Sequence, residues 1–447
     1  MPAAGLAIDV GILYAIKARL SMAVDSGALA GARALSRGAD GASQQTSAQS
    51  TATAMVKANF PTGYYSSYSL TIPTPTVDTS VSNQRSVTVT ATVTAPLYFM
   101  RWLRANSTNV AASATVTRKD VNVMIVLDRS GSLNLTGNCG NVRQAAVNFV
   151  NQFASGRDNV GLVTFATSSL VDFPISSSFS TASPSVTSII NSITCTGATN
   201  SAQALWQAYT QLVQLNQPGA LNFILFFTDG QPTAITASAP ISGSSSCSSK
   251  TNKTAVLASG YYSTDAQTPV AVGGLWNPTA TAQPMSSDNN MFSNSAGCSY
   301  ASNWSGGSMW NVANDVPYIP SQDVYGNSTN NGYQSVTISN GNIAISSPQN
   351  MENVAVNAAD NAGYRIRTGA NISGVGSLAN VTIFCIGLGT GNNIGPPQTF
   401  LERMANDPSA SSYISAQPAG LFVNAATGAD LGQAFARVAS EILRIAR

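Results

Sequence analysis

Apolar and polar positions change rhythm along the chain, and each change predicts a different kind of element. Residues 3–16 (AAGLAIDVGILYAI) are apolar except for Asp9, and an alanine-rich helical texture continues to about Ser36, where Gly38 and Gly41 break it. Residues 43–59 predict a second helix and Pro61-Thr62-Gly63 a turn. Residues 86–95 (SVTVTATVTA) alternate apolar with polar, the period of a half-exposed strand, and 108–118 repeat that texture. The economical reading is a long helix followed by a small antiparallel sheet. From Val121 the rhythm changes again. The near-continuous apolar run 121–127 ends at Asp128, as a strand buried on both faces would read. A polar loop (129–140), a helix near 141–154, a strand at 159–165, a helix at about 201–215 and strands at 221–227 and 380–386 follow. The terminal segment 430–445 places Leu431, Phe435, Val438, Ile442 and Ile445 on one helical face. This alternation predicts an α/β, Rossmann-like fold around a doubly wound, mostly parallel sheet.

Between Pro232 and about Met351 the α/β texture gives way to some 120 residues rich in Ser, Thr, Asn, Gly and Pro, too long for a loop in a compact domain. Its aromatics (Tyr261, Tyr262, Trp276, Phe292, Tyr300, Trp304, Trp310, Tyr318, Tyr325 and Tyr333) either form a small core of their own or expose a specificity lid, and the first reading is favoured. Residues 335–346 predict a hairpin around Asn340-Gly341, a type I′ turn pair. The chain thus divides into an N-terminal helical segment (1–60), a small β region (61–118) and an α/β domain (119–447) with an insertion at about 233–351.

Composition narrows the chemistry. The 447 residues contain no histidine, which removes Ser-His-Asp and Cys-His catalysis and every HExxH zinc site. Only 9% of residues are charged, a composition that suits an exported, surface-facing protein. Net charge is +2 with no Lys/Arg run longer than two, so nucleic acid is not an expected partner. Residues 1–120 carry ten basic and five acidic residues, and 121–447 eleven and fourteen, so the halves differ in sign. No GxxxxGK[ST] or Ser-x-x-Lys occurs, and Gly374-Val-Gly376-Ser-Leu-Ala379 precedes a strand where a dinucleotide fingerprint must follow one. The five cysteines form no CxxC pair. Cys385 reads as a buried free thiol. Cys139 and Cys195 lie on loops flanking Ser132 and Thr199, and Cys247 and Cys298 lie in the insertion; export makes 139–195 and 247–298 the expected disulfides.

Ligands of open α/β sheets bind at the carboxyl ends of the strands. Three segments bring oxygen donors there: Asp128-Arg-Ser130-Gly-Ser132 after the first strand, Gly197-Ala-Thr199-Asn before a helix, and Thr228-Asp229-Gly230 after the strand at 221–227. Five hard oxygen donors (Asp128, Ser130, Ser132, Thr199 and Asp229) without nitrogen or sulfur suit Mg²⁺, ahead of Mn²⁺ or Ca²⁺. The competing reading is that these are ordinary strand-end loops with Asp and Ser capping helices.

At these residues the sequence resembles a von Willebrand factor type A domain with its metal-ion-dependent adhesion site, over roughly 121–232 and 352–445. The resemblance implies that Ser130, Ser132 and Thr199 coordinate the metal directly, with Asp128 and Asp229 acting through water or at closer range. One position would stay open for a partner's Asp or Glu. Residues 6–35 resemble the N-terminal segment of TadG-like Flp pilus-assembly proteins, which carry a hydrophobic helix, an Ala-rich helix and, in many members, a type A domain. Family members normally show a longer apolar stretch with basic residues upstream. Here Met1-Pro2 leads straight into about 14 apolar residues, short of the roughly 20 that span a bilayer, so Met1 reads as internal to a longer gene product anchored in the membrane.

The leading expectation is a non-enzymatic, inner-membrane-anchored envelope protein of the Tad/Flp system. Its periplasmic or extracellular type A domain would bind a protein ligand's carboxylate or pilus components, with a glycan on the insertion's aromatics as a further partner. The alternative is a structural, minor-pilin-like subunit in which the metal only stabilises the domain. A metal-dependent phosphoesterase ranks third, because the donor set lacks paired bridging carboxylates.

Overall fold

A computed structural model of the chain describes residues 2–35, 41–81, 83–103, 105–239, 252–262, 265–276, 316–344, 348–389 and 396–446. The chain forms two compact units, Met1–Val121 with Phe153–Asp158 and Leu443–Arg447, and Asn122–Gln152 with Asn159–Ile442.

In the first unit, helices α1 (Pro2–Ala34) and α2 (Gly41–Asn59) pack on an antiparallel sheet of β1 (Tyr68–Thr71), β2 (Thr76–Asp78), β3 (Gln84–Pro96) and β4 (Ser107–Lys119). β3 is central, pairing with β4 on one side without a bulge from Gln84↔Lys119 to Pro96↔Ser107, and with β1 and β2 on the other. The period of two explains the sheet. Val87, Val89, Ala91, Val93 and Ala95 point into the core with Leu20, Val24 and Val56 of the helices. On the opposite face, hydroxyls pair across the strands: Ser86 with Thr117 (2.8 Å), Thr88 with Thr115 (2.8 Å) and Thr90 with Ser113 (3.1 Å). The helices approach closely because α1 offers glycine at the contact. A Cβ on Gly27 would fall 2.5 Å from Val56 Cγ2, and one on Gly31 would fall 3.1 Å from Ala52 Cβ. Asp9, the one charge in the apolar start of α1, is buried and accepts the backbone N–H groups of Tyr98 (2.9 Å), Phe99 (3.0 Å) and Met100 (2.8 Å). Burial alone would raise its pKa, but the three donors hold it below the ordinary carboxylate value.

In the second unit the chain runs through β5 (Val121–Asp128), α3 (Gly131–Leu135), α4 (Cys139–Val150), β6 (Asn159–Phe165), β7 (Ser169–Ser176), α5 (Val186–Ser192), α6 (Ser201–Leu215) and β8 (Leu221–Thr228). It continues through β9 (Ala234–Ala239), β10 (Lys253–Tyr262), β11 (Asp265–Trp276), β12 (Ile338–Ser339), β13 (Asn342–Ile343), α7 (Pro348–Arg367), β14 (Val381–Leu388), α8 (Gln398–Ala405), β15 (Phe422–Ala425) and α9 (Leu431–Ile445). The main sheet has the order β15-β14-β8-β5-β6-β7; β15, β14 and β8 are parallel, as are β5 and β6, and β7 is antiparallel. Every residue of β5 and β6 is buried, so both strands read as unbroken apolar runs. Helices cover both faces. Ile224 and Phe226 of β8 join the core formed with α6 and α7, whereas Phe227 meets Phe435 of α9 at 5.7 Å. On α9, Leu431, Phe435, Val438 and Ile442 are buried as expected, but Ile445 is exposed.

At the amino-terminal ends of three strands runs a chain of buried amides. Asn159 Nδ2 donates to Asn122 Oδ1 (2.8 Å), Asn122 Nδ2 to Asn222 Oδ1 (2.9 Å), and Asn222 Nδ2 to the Gln217 and Ala220 carbonyls. Each amide satisfies the next, which allows polar residues inside an apolar sheet.

The expected insertion differs from its reading in two respects. Its first part is regular: β9, β10 and β11 form an antiparallel three-stranded sheet, with β9 and β10 aligned over Ala234–Ala239. Small and polar residues masked these strands, because the pairing is carried by backbone groups rather than by a marked apolar alternation. Two of its aromatics, Tyr325 and Tyr333, pack against the main core of the unit, together with Val316, Ile319 and Ile343, rather than in a core of their own. Guanidinium groups lie over two rings of this region, Arg365 on Trp206 at 4.2 Å and Arg403 on Tyr333 at 5.2 Å. Phe292, Tyr300, Trp304 and Trp310 lie outside the described residues, as do the side chains of Tyr261, Tyr262 and Trp276. The hairpin forms as read, with Asn340 and Gly341 both at positive φ (50° and 77°), although its strands are only two residues long.

Candidate metal centre

β5 and β8 are neighbours in the sheet, so their carboxyl ends deliver Asp128 and Asp229 to one place. Asp128 is fixed from two sides: its Oδ1 accepts the Ser130 N–H (2.7 Å) and its Oδ2 the Thr228 hydroxyl (2.6 Å). Thr228 in turn accepts the Gly230 N–H and so shapes the turn that carries Asp229. Ser130 occupies the N-cap position of α3, yet its side chain caps nothing. Instead its Oγ lies 3.0 Å from Ser132 Oγ and 3.5 Å from Asp229 Oδ1, while Ser132 Oγ donates to that same carboxylate oxygen at 2.7 Å. Asn200, at the N-cap of α6, likewise makes no side-chain cap. The helix-capping reading of these loops is therefore not what the local geometry supports.

Thr199 reaches the same end of the sheet through a loop tied down on two sides. Thr196 N donates to Arg129 O (2.8 Å), and Gly131 N donates to Gly197 O (3.0 Å). On the other side, Thr199 N donates to Thr233 Oγ1 (2.9 Å) and Thr233 N to Thr199 O (2.9 Å). The disulfide Cys139–Cys195 spans the two loops, joining the start of α4 to the segment that leads into Thr196–Thr199, as expected from their placement. Cys247 and Cys298 lie outside the described residues, and Cys385 is a buried free thiol in β14.

Five oxygen-bearing residues thus belong to three loops at one rim, and hydrogen bonds bring Asp128, Ser130, Ser132 and Asp229 together directly. An octahedron with metal–oxygen bonds of about 2.0–2.1 Å has edges of about 3 Å. Ser132 Oγ lies 2.7 Å from Asp229 Oδ1 and 3.0 Å from Ser130 Oγ, close to such an edge, while Ser130 Oγ and Asp229 Oδ1 are 3.5 Å apart, wider than one. The electrostatics agree with a cation. Burial pushes the Asp128 and Asp229 carboxyls upward, and for Asp229 the neighbouring Asp128 charge adds to the push. A divalent ion would relieve both penalties. Two residues gained a role that sequence patterning did not assign: Thr228, which fixes Asp128, and Thr233, which fixes Thr199. Thr228 lies beside Asp229 and within reach of inspection, whereas nothing local marks Thr233.

Residues 122–269 match the family model described as von Willebrand factor type A domain. The unit that carries this site has the von Willebrand factor type A fold. The match runs through β9 and β10 into β11, so the type A region reaches beyond Pro232. Solved structures similar to the chain include a von Willebrand factor type A protein from Catenulispora acidiphila (11% identity, 80% of this chain and 46% of that one, TM-score 0.36). Another is the pilus adhesin SpaC from Lactobacillus rhamnosus GG (13% identity, 86% and 36%, TM-score 0.39). A third is the vWF domain of the type V pili tip protein Mfa5 from Porphyromonas gingivalis (14% identity, 74% and 97%, TM-score 0.38). The chain spans less than half of the length of the first two. A search of curated proteins found no match.

Proposed function

We propose that this chain is an envelope-anchored binding protein of the Tad/Flp pilus-assembly system whose type A domain grips a partner's Asp or Glu through Mg²⁺. The observation that supports the metal is the meeting of the Ser130 and Ser132 hydroxyls with Asp229 Oδ1, at 2.7–3.5 Å, from two strand ends. Ser130, Ser132 and Thr199 would hold the ion, with Asp128 and Asp229 through water or at closer range. The ion, when bound, supplies residual positive charge and an open coordination position for an anionic ligand. The chain's own residues orient that position: Thr228 and the Ser130 N–H immobilise Asp128, and Thr233 sets the Thr199 loop. Asp128 is committed to these two donors, which leaves no carboxylate pair arranged to bridge two ions for hydrolysis, so binding fits the donor set better than turnover. The Tad/Flp assignment and the envelope location rest on the resemblance of residues 6–35 and on the order of helix, small sheet and type A domain. No helix among the described residues is long and apolar enough to cross a membrane.

The test is calorimetric titration of Mg²⁺ and Mn²⁺ into the chelator-treated chain beside Asp229→Ala, followed by pull-down from cell envelopes with and without chelator. Binding by the wild type alone, and chelator-sensitive capture of pilus components, is the expected result. Equal heats from the two proteins would refute the site.

A further inference from the structure

The start of α1 is apolar on more than its buried face. Gly5 and Asp9 face inward, whereas Leu6, Val10 and Tyr14, spaced at i, i+4 and i+8, form an outward stripe, with Val10 56% and Tyr14 75% exposed. A segment from far along the chain extends this surface. The Asp9 carboxylate holds the backbone of 98–100 against the helix, and a Cβ on Gly5 would fall 2.7 Å from Phe99 Cδ1, so the Phe99 ring lies on Gly5 itself. Tyr98 and Phe99 remain 40% and 46% exposed there. Two aromatic side chains on a turn that a buried carboxylate pins to an apolar helix are an expensive surface to leave in water.

Charge indicates what this surface meets. Asp9 is the one acidic residue between positions 2 and 24, and its carboxylate is turned inward; 97–101 contain none. Cations border the patch: exposed Lys17 follows Tyr14 on the same stripe and bonds to the Ala111 carbonyl, and exposed Arg101 follows Phe99. Aliphatic and aromatic side chains backed by cations, with no exposed acid, match the headgroup layer of an anionic bilayer, where aromatic rings settle and basic residues meet phosphate. We propose that Leu6, Val10 and Tyr14 of α1, with Tyr98 and Phe99 beside them, form a lipid-interface site that lies in the headgroup layer of an anionic membrane. The site is independent of the metal centre and deepens the envelope placement proposed above. In it, the 98–101 turn supplies half of the contact, and Asp9 is the clasp that puts it there.

The full chain, kept in chelator so that the metal centre plays no part, is sedimented with vesicles of phosphatidylcholine alone or mixed with phosphatidylglycerol. Co-sedimentation with the mixed vesicles, weakened by salt, is expected. The exposed changes Val10→Ser/Tyr14→Ser and Phe99→Ser should each weaken it about tenfold or more, and Lys17→Glu/Arg101→Glu should abolish the preference for phosphatidylglycerol. Thermal melts unchanged from the wild type establish that these surface variants are folded. Absence of vesicle binding, or equal binding by wild type and the apolar variants, would overturn the site. So would a dimer in analytical ultracentrifugation that the same variants dissolve, because the patch would then belong to a second copy. Cell fractionation tests the envelope placement separately, and Asp229→Ala should bind vesicles like the wild type.

Discussion

Ser132 donates its hydroxyl hydrogen bond to Asp229 at 2.7 Å, although 97 residues separate the two in the chain. The bond joins the loop after β5 to the loop after β8 and holds both side chains at one point. If the proposed cation binds there, little of its binding free energy would go into ordering these side chains.

Thr228 supports that arrangement from behind, since its hydroxyl holds Asp128 Oδ2 at 2.6 Å. Thr228→Val should leave the fold in place and weaken Mg²⁺ binding by about 10–100-fold, the usual effect of removing an outer partner of a ligand. Calorimetric titration beside the wild type measures it; an unchanged affinity would remove Thr228 from the site.

The amide chain Asn159–Asn122–Asn222 predicts a cost at its centre. Asn122→Leu takes the donor from Asn222 Oδ1 and leaves Asn159 Nδ2 only its longer bond to Gln217 Oε1 (3.5 Å), and should destabilise the protein by about 1–3 kcal/mol. Urea denaturation reads the loss. The same change at exposed Asn148 should fall within about 0.5 kcal/mol of wild type.

The Cys139–Cys195 disulfide closes a loop across 56 positions. Replacing both cysteines with serine should cost about 2–4 kcal/mol of stability. Because the bridge spans the Ser132 and Thr199 loops, Mg²⁺ affinity should fall as well. Titration of the double variant at a temperature where it is fully folded separates the two effects.

Asp172 on β7 accepts the Thr164 N–H at 2.8 Å with one oxygen, while the other is buried without a hydrogen-bond partner. Burial pushes its carboxyl up to about 6 from the ordinary 3.8. A pKa raised by folding contributes stability that is present in full below about pH 3.8 and lost as pH rises through about 6. Relative to Asp172→Asn, the wild type should therefore gain stability as pH falls from 7 to 4.5, and urea midpoints at the two pH values provide the check.

Residues 86–95 announced their strand because one face is buried and the other wet, which imprints a period of two on the side chains. The unbroken apolar runs of β5 and β6, and Asp-x-Ser-x-Ser at the end of β5, were legible for the same reason: burial on both faces, then an abrupt polar rim. What those local periods could not encode is which strand ends lie side by side. That β8 neighbours β5, bringing Asp229 to Ser132 and Thr228 to Asp128, is a property of strand order, and several orders satisfy the same apolar pattern. Thr233 at the Thr199 loop, Asp9 under the 98–100 turn and Tyr325 on the main core were decided in the same way. Side-chain periodicity records how much of each residue is covered, so the sequence by itself determined those elements whose burial is strongly patterned and their inward faces, but not β9–β11, whose small and polar residues carry no such period. Pairings between distant residues depend on how those faces combine, and only the tertiary structure decided them.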